Sequence, residues 1–156
     1  MLGSLAKWLR ILGFDTVYVR AATDTELLDS AVAEKRTLLT GDEELWRVAA
    51  KRGVDVVLVK GETVTERLAS ALRGCTAELR VDPDRSRCAI CNVPLRRIRR
   101  ESVKHTVPYS VYEKHRLFWR CQTCERVYWM GTHVARMRET LAQTGDEPPR
   151  KESEDM

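Results

Sequence analysis

The 156-residue sequence lacks any long run of apolar residues, and it lacks the pattern of a signal peptide at its start. A signal peptide would need a basic stretch, an unbroken apolar core and a small-residue cleavage site. These absences argue against a membrane-spanning helix and against export, so no membrane partner is expected. We therefore expect a cytoplasmic protein, in a compartment that keeps thiols reduced.

Four of the five cysteines form two pairs, Cys88-Ala-Ile-Cys91 and Cys121-Gln-Thr-Cys124. Each C-x-x-C turn can direct both sulphurs to one side, and four thiolates can enclose one tetrahedral zinc ion. The pairs are separated by 29 residues, a gap long enough to hold structure of its own. The alternative is two disulphides or four unrelated thiols. The spacing predicts a structural zinc site, whereas Cys75 is expected to be an incidental thiol.

Positive charge is concentrated around these cysteines. Residues 88 to 138 hold eleven Lys and Arg against three Asp and Glu, and six of the ten aromatic residues of the chain. Cations beside stacking surfaces suit a nucleic-acid backbone and its bases. The alternative is a small ribbon whose aromatics form the core under solvated arginines. The candidates for phosphate contact are Arg96, Arg97, Arg99 and Arg100.

The first 75 residues alternate helical and extended patterns. Apolar spacing predicts a helix over residues 2 to 12, and later helices that begin near Thr23 or Asp24, at Asp42 and at Thr63. Short strands are predicted at residues 16 to 19, 37 to 40 and 54 to 59. Helices that alternate with apolar strands indicate an α/β fold with a parallel sheet covered by helices.

Composition divides the chain into four segments. Residues 1 to 75 form the predicted α/β domain, residues 76 to 87 a polar linker around Asp82-Pro83-Asp84, and residues 88 to 138 a zinc ribbon. Residues 139 to 156 are polar and acidic, and we expect them to be disordered.

Two acidic residues follow predicted strands. Asp24 follows the strand of residues 16 to 19, and Asp42 follows that of residues 37 to 40. The carboxyl ends of parallel strands meet at one rim, where such folds bind ligands. Carboxylates there can hold Mg²⁺ or Mn²⁺. The alternative is that both aspartates are ordinary helix N-caps.

Longer motifs resemble a known family. Thr23-Asp24-Thr25-Glu26-Leu27-Leu28 followed by Leu38-Leu39-Thr40-Gly41-Asp42 resembles the acidic motifs of PIN-like nucleases. The opening Met1-Leu2-Gly3-Ser4-Leu5-Ala6-Lys7-Trp8 and the later Phe118-Trp119-Arg120-Cys121 with Tyr128-Trp129-x-Gly131-x-His133 are similar to one branch. That branch is the RNase family named for the carboxy-terminal domain of the Mut-seven exonuclease. The resemblance covers about residues 1 to 137 and implies a PIN-like domain followed by a four-cysteine zinc ribbon.

The resemblance also implies an element that the sequence does not contain. In this family a strand carrying an acidic residue precedes the M-L-G segment, whereas this sequence begins at Met1. The expected sheet therefore lacks its first strand and the metal site lacks one acid. A start placed too far downstream, a truncation or a lost element would each account for this. The wide apolar face of the first helix would then need another cover, such as an oligomer.

Two functions follow as hypotheses. The first is a metal-dependent ribonuclease, in which Asp24 and Asp42 hold Mg²⁺ or Mn²⁺ and the basic ribbon grips RNA. The second is a non-catalytic nucleic-acid-binding protein with a degenerate PIN-like domain. The three histidines, His105, His115 and His133, are expected to be surface or packing groups, because four sulphurs already complete the zinc site.

Overall fold

The computed structural model describes residues 2–77 and 79–143 of the chain. These residues divide into two compact units. Of the described residues, the first unit comprises residues 2–6 and 17–75, and the second comprises residues 7–16, 76–77 and 79–143. None of the described helices is long and apolar enough to cross a membrane.

The first helix, α1 (Gly3–Ile11), contributes its beginning to the first unit and its end to the second. Its apolar stripe is buried, with Leu5 2%, Leu9 4% and Leu12 8% exposed. The sequence led us to expect that this stripe would need an outside cover. That expectation was wrong, because the chain itself buries these leucines.

The remainder of the first unit is a two-stranded parallel sheet with helices. The elements are α2 (Asp24–Glu34), β1 (Leu38–Thr40), α3 (Glu43–Lys51), β2 (Val56–Leu58) and α4 (Val64–Leu72). Strands β1 and β2 pair in parallel, with Leu38 opposite Val56. The predicted α/β class with a parallel sheet and flanking helices is confirmed.

The core of the first unit lies between this sheet and two helices. Leu28 and Ala31 of α2, Leu38 of β1, and Leu45 and Ala49 of α3 form one buried cluster. These are residues at helical spacing on α2 and α3 that meet the sheet, as the apolar periodicity predicted.

Two threonines begin helices through capping boxes. Thr23 accepts a hydrogen bond from the Glu26 N–H and its own N–H donates to the Glu26 carboxylate, and Thr63 and Glu66 repeat this arrangement. These bonds hold the pKa of Glu26 and of Glu66 below its ordinary value. The predicted helix starts at both threonines are confirmed.

The strand predicted at residues 16 to 19 is not formed. Val17 and Val19 are each 55% exposed, and the Thr16 N–H donates to the Asn92 side chain rather than to a neighbouring strand. A four-residue apolar pattern is too short to distinguish a strand from an extended loop.

The second unit contains a three-stranded antiparallel sheet. Its elements are β3 (Arg96–Ile98), a 3₁₀ helix (Arg100–Val103), α5 (Tyr109–Lys114), β4 (Phe118–Arg120), β5 (Val127–Trp129) and α6 (Thr132–Gln143). Strand β4 is central, and it pairs with β3 on one side and β5 on the other. The gap between the cysteine pairs thus holds β3, the 3₁₀ helix, α5 and β4.

The two faces of this sheet bury different clusters. On one face Trp119 packs with Leu95, Cys88 and Cys121. On the other face Phe118 packs with Val103 and Val107. Successive side chains of a strand point to opposite faces, so neighbouring β4 residues serve both clusters.

The second unit also takes in residues that the sequence assigned elsewhere. The end of α1 lies here because the Arg87 N–H donates to the Arg10 carbonyl and the Ser86 hydroxyl donates to the Ile11 carbonyl. The turn at Gly13 has a φ of +97°, and a Cβ there would lie 2.9 Å from the Arg85 carbonyl oxygen. The segment predicted to be a linker is therefore packed against residues 7 to 16.

Helix α6 extends into the segment that the sequence assigned to a carboxy-terminal tail. Helix α6 continues to Gln143 and buries Met137 and Leu141. Disorder from residue 139 onward is therefore wrong for residues 139 to 143, because an apolar pair four residues apart holds the helix in place. Residues 144 to 156 of the predicted tail lie outside the described residues.

The end of α2 gives a stability prediction. Lys35 is exposed and has φ 53° and ψ 47°, a left-handed conformation that favours glycine. We expect Lys35→Gly to raise the free energy of unfolding by about 0.5 to 1 kcal/mol in urea denaturation followed by circular dichroism. Lys51→Gly, at a helical position, is the control and should lower it by a similar amount. A loss of stability in both variants would contradict the prediction.

Candidate functional site

The four paired cysteines converge on one point of the second unit. Their sulphur atoms all lie within 4.8 Å of one another, and the Cys88 and Cys124 sulphurs are 3.7 Å apart. A tetrahedral zinc ion with Zn–S bonds of about 2.3 Å would place sulphurs about 3.8 Å apart, whereas a disulphide would place them about 2.05 Å apart. All the cysteines are free thiols, so the disulphide alternative was wrong. The cluster could hold zinc.

The two C-x-x-C segments have the same backbone turn. The Asn92 N–H donates to the Cys88 carbonyl, and the Glu125 N–H donates to the Cys121 carbonyl, each at 2.9 Å. Asn92 and Glu125 both have positive φ, 63° and 60°. The residue after each second cysteine therefore closes its turn in a left-handed conformation.

Backbone N–H groups point at the sulphurs in both turns. The Cys91 N–H lies 3.4 Å from the Cys88 sulphur, and the N–H groups of Thr123 and Cys124 lie 3.4 Å from the Cys121 sulphur. Hydrogen bonds of this kind favour the thiolate over the thiol, and a metal ion binds the thiolate.

Tyr128 supports the cluster from the neighbouring strand β5. Its hydroxyl lies 3.2 Å from the Cys88 sulphur and accepts a hydrogen bond from the Ala89 N–H. Burial raises the pKa of the Tyr128 hydroxyl, and its bond to Cys88 raises it further. The hydroxyl therefore stays protonated and can donate to the sulphur.

The thiols have unequal pKa values. Burial acts to raise the pKa of Cys88, but hydrogen bonds from Tyr128, Cys91 and Ile90 outweigh burial and lower it to about 6. Burial, followed by hydrogen bonds to the Cys124 and Cys121 sulphurs, raises the pKa of Cys91 to about 12. Four adjacent thiolates repel one another, so a bound cation is needed for all four to be deprotonated together.

Residues at the end of α1 brace the first turn. The Arg10 guanidinium donates from Nη1 to the Ala89 carbonyl at 2.8 Å and to the Ile90 carbonyl at 3.3 Å. The Asn92 side chain accepts from the Thr16 N–H and donates to Asp15 at 2.6 Å. Sequence spacing gave no indication of these contacts, which join residues about eighty positions apart.

Asp84 is a second residue whose role the sequence did not reveal. Its carboxylate accepts from the Trp119 indole N–H at 2.8 Å and from Arg97 at 3.0 Å. The Arg97 guanidinium carbon lies 5.5 Å from the centre of the Trp119 ring. The indole needs an acceptor because Trp119 is only 2% exposed.

The four candidate arginines do not form one free patch. Arg97 pairs with Asp84, and Arg100 stacks 3.7 Å from the centre of the Tyr112 ring while it donates to the carbonyls of Tyr112 and His115. Arg96 and Arg99 have exposed side chains.

The two candidate aspartates lie at helix starts in the first unit, and both are exposed. Asp24 is the first residue of α2, which Thr23 caps. Asp42 is the N-cap of α3, and its Oδ1 accepts from the N–H groups of Glu44 and Leu45. Within the described residues, the four cysteines are the one group of three or more His, Cys, Asp or Glu side chains that could share a metal ion. The N-cap alternative is thus observed for Asp42, and in the part of the chain that the structure describes neither aspartate belongs to such a group.

The chain thus combines a small α/β unit with a four-cysteine cluster beside an antiparallel sheet, an arrangement consistent with a zinc ribbon. The model of the Mut7-C RNAse domain family matches residues 1–141. The chain belongs to this family, so the resemblance found in the sequence is confirmed. No curated protein and no solved structure matches the chain significantly.

Metal content tests the cysteine cluster. We expect the purified protein to contain one zinc ion per chain and Cys121→Ser to lose most of it, because three sulphurs no longer close the site. Elemental analysis and circular dichroism after chelator treatment are the measurements. Cys75→Ser is the matched control, since Cys75 is an exposed thiol outside the cluster. Equal zinc in both variants would contradict the assignment.

The Tyr128 contact gives a second prediction at this site. Tyr128→Phe removes one hydrogen bond to the Cys88 sulphur while it keeps the ring, so zinc affinity should fall by about 10-fold or more. Competition with a chromogenic zinc chelator measures this change. Tyr112→Phe is the control, because that ring packs in the Val103 cluster and should leave zinc affinity unchanged. If both variants bind zinc as tightly as the unaltered protein, Tyr128 does not support the metal.

Proposed function

We propose that this protein is a metal-dependent ribonuclease that hydrolyses phosphodiester bonds in the cytoplasm. In this proposal Asp24 and Asp42 hold Mg²⁺ or Mn²⁺, a zinc ion organises the second unit, and that basic unit grips RNA. The observation that carries the proposal is the family match, which spans 141 of the 156 residues.

The local geometry leaves carboxylate oxygens available for a cation. Thr23 and Glu26 cap α2, so the Asp24 carboxylate is not needed for that purpose. Both capping bonds at α3 go to the Oδ1 atom of Asp42, and its N–H donates to the buried hydroxyl of Thr40 at 3.0 Å. Asp42 is thus held at both backbone and side chain while its Oδ2 is not used in capping.

Two carboxylates are a minimal but sufficient donor set for Mg²⁺. This ion commonly keeps several waters and takes one or two protein carboxylates together with substrate phosphates. The chemistry that such an ion supplies when bound is activation of water and charge neutralisation at the phosphodiester. The positive ends of α2 and α3 lie beside the aspartates and favour the anionic backbone of the substrate.

The charge distribution supports a role for the second unit in RNA binding. Residues 88 to 138 carry eleven Lys and Arg against three Asp and Glu. Four thiolates complete a tetrahedral zinc shell and leave no position for water or substrate. We therefore give zinc a structural role and the arginines the electrostatic one, with Arg96 and Arg99, whose side chains are exposed, as the candidates for phosphate contact.

One observation favours a second candidate, a non-catalytic nucleic-acid-binding protein. Among residues 2–77 and 79–143, neither Asp24 nor Asp42 belongs to a group of three or more potential metal ligands. A protein that binds RNA through its second unit, with the first unit as a scaffold, would have the same charge distribution. The two candidates differ in whether RNA is cleaved.

The substitution Asp42→Asn removes the negative charge of this side chain but keeps its ability to cap α3. Asparagine caps helices about as well as aspartate, so the free energy of unfolding should change by less than about 0.5 kcal/mol. We expect Mg²⁺- or Mn²⁺-stimulated cleavage of a labelled single-stranded RNA to fall by about 100-fold or more, because the charge that binds the cation is lost.

Glu43→Gln is the matched control for this experiment. Glu43 is the next residue, is exposed and pairs with Arg47 at 3.6 Å, so its neutral variant should cleave like the unaltered protein. Undiminished cleavage by Asp42→Asn would refute the role of Asp42. Tight RNA binding without turnover in either cation, by the unaltered protein, would establish the non-catalytic candidate instead.

A further inference from the structure

A groove on the second unit lies between the second cysteine turn and the segment that precedes α5. It has a volume of about 330 Å³ and is lined on one side by Val107 and Pro108 and on the other by Arg126, Val127 and Trp129. The walls therefore offer an indole ring, aliphatic surface and one cation in the same small space.

The Trp129 ring lies close to the backbone at Gly131. The half-buried indole packs against the cluster of Val103, Val107 and Phe118. A Cβ on Gly131 would lie only 2.8 Å from the indole nitrogen. Glycine at 131 thus lets the ring lie close to the chain, which accounts for the W-x-G spacing in physical terms.

The groove itself has one positive and one negative side chain, whereas the segment around it is mostly positive. Exposed Arg126 follows exposed Glu125, and both line the groove. Glu125 closes the cysteine turn in the left-handed conformation. The segment from residue 88 to 138 is nevertheless strongly basic, so an anionic chain that reaches the groove gains attraction over a wider surface.

We propose that this groove binds an unpaired base of single-stranded RNA, with the base stacked on Trp129 and an adjoining phosphate paired with Arg126. Aromatic rings bind bases of any sequence because every base has a flat face, and arginine adds the phosphate contact. The inference rests on the proposed function in taking RNA as the partner. It adds the location of the contact and a preference for single strands, since paired bases are stacked within the duplex.

The test measures RNA binding without cleavage. Fluorescence anisotropy of a labelled 12-nucleotide RNA, single-stranded or in a duplex, is recorded with zinc-loaded full-length protein and no added Mg²⁺ or Mn²⁺. Trp129→Ala should weaken single-strand binding by about 5- to 150-fold and leave duplex binding unchanged. Gly131→Ala should weaken it in the same direction, because the new methyl group displaces the ring.

Separate substitutions of two neighbouring residues with opposite charges, Arg126 and Glu125, test the phosphate contact. Arg126→Gln should weaken single-strand binding by roughly 3- to 10-fold and reduce the salt slope of log K by about 0.7. Glu125→Gln removes a repelling carboxylate and should tighten binding by about twofold. Leu117→Ala, which alters an exposed apolar side chain outside the groove and the cysteine turns, is the control and should bind like the unaltered protein.

Zinc content and melting temperature identify variants that fold. If Trp129→Ala fails to fold, Arg126→Gln and Glu125→Gln still test the groove proposal. Both alter exposed side chains, so both variants are expected to fold. Unchanged single-strand affinity in the folded variants would overturn the groove proposal, and equal losses for single strand and duplex would do the same. Cleavage by the unaltered protein is scored separately, so its absence would count against the ribonuclease and not against the groove.

Discussion

Convergence of four sulphur atoms within 4.8 Å of one another is the constraint on which the second unit depends. The strands there are three residues long, too short to be stable without further support. Cys88 and Cys121 are fully buried in the same cluster as Trp119. A metal ion at the sulphurs would therefore link the two cysteine turns to one face of the sheet, and the insert between the turns supplies the cover for the other face.

The cysteine site could be predicted from sequence because its ligands are local pairs with a fixed chemistry. The same was true of the helix starts at Thr23, Asp42 and Thr63, where capping needs only residues within one turn. Contacts between distant positions were not predictable. Arg10 and Ala89 are 79 residues apart, and no periodicity relates them. The strand predicted at residues 16 to 19 failed for the same reason, since a strand requires a partner that local sequence does not specify.

The role of the two candidate aspartates could not be decided from the sequence. Their position after predicted strands was compatible with both a metal site and ordinary capping. The structure places Asp42 at an N-cap, yet it places both cap bonds on one carboxylate oxygen. Capping and cation binding are therefore not exclusive at Asp42, because a carboxylate has two oxygens and about four lone-pair sites. The two functions therefore differ in whether a cation binds the carboxylate oxygens that capping does not use, and not in how α3 begins.

Several arginines of the second unit take part in contacts within its fold, even where their side chains are exposed. The guanidinium groups of Arg97 and Arg100 contact Asp84, the Tyr112 ring and backbone carbonyls. These contacts fix aromatic rings in place. Arg126, in contrast, is exposed beside the half-buried indole of Trp129. A basic segment is thus not uniformly a binding surface, because buried carbonyls and rings compete with a ligand for the same cations. An arginine that already contacts a carboxylate, a ring or a carbonyl of the fold is less available to an anionic ligand than one that does not.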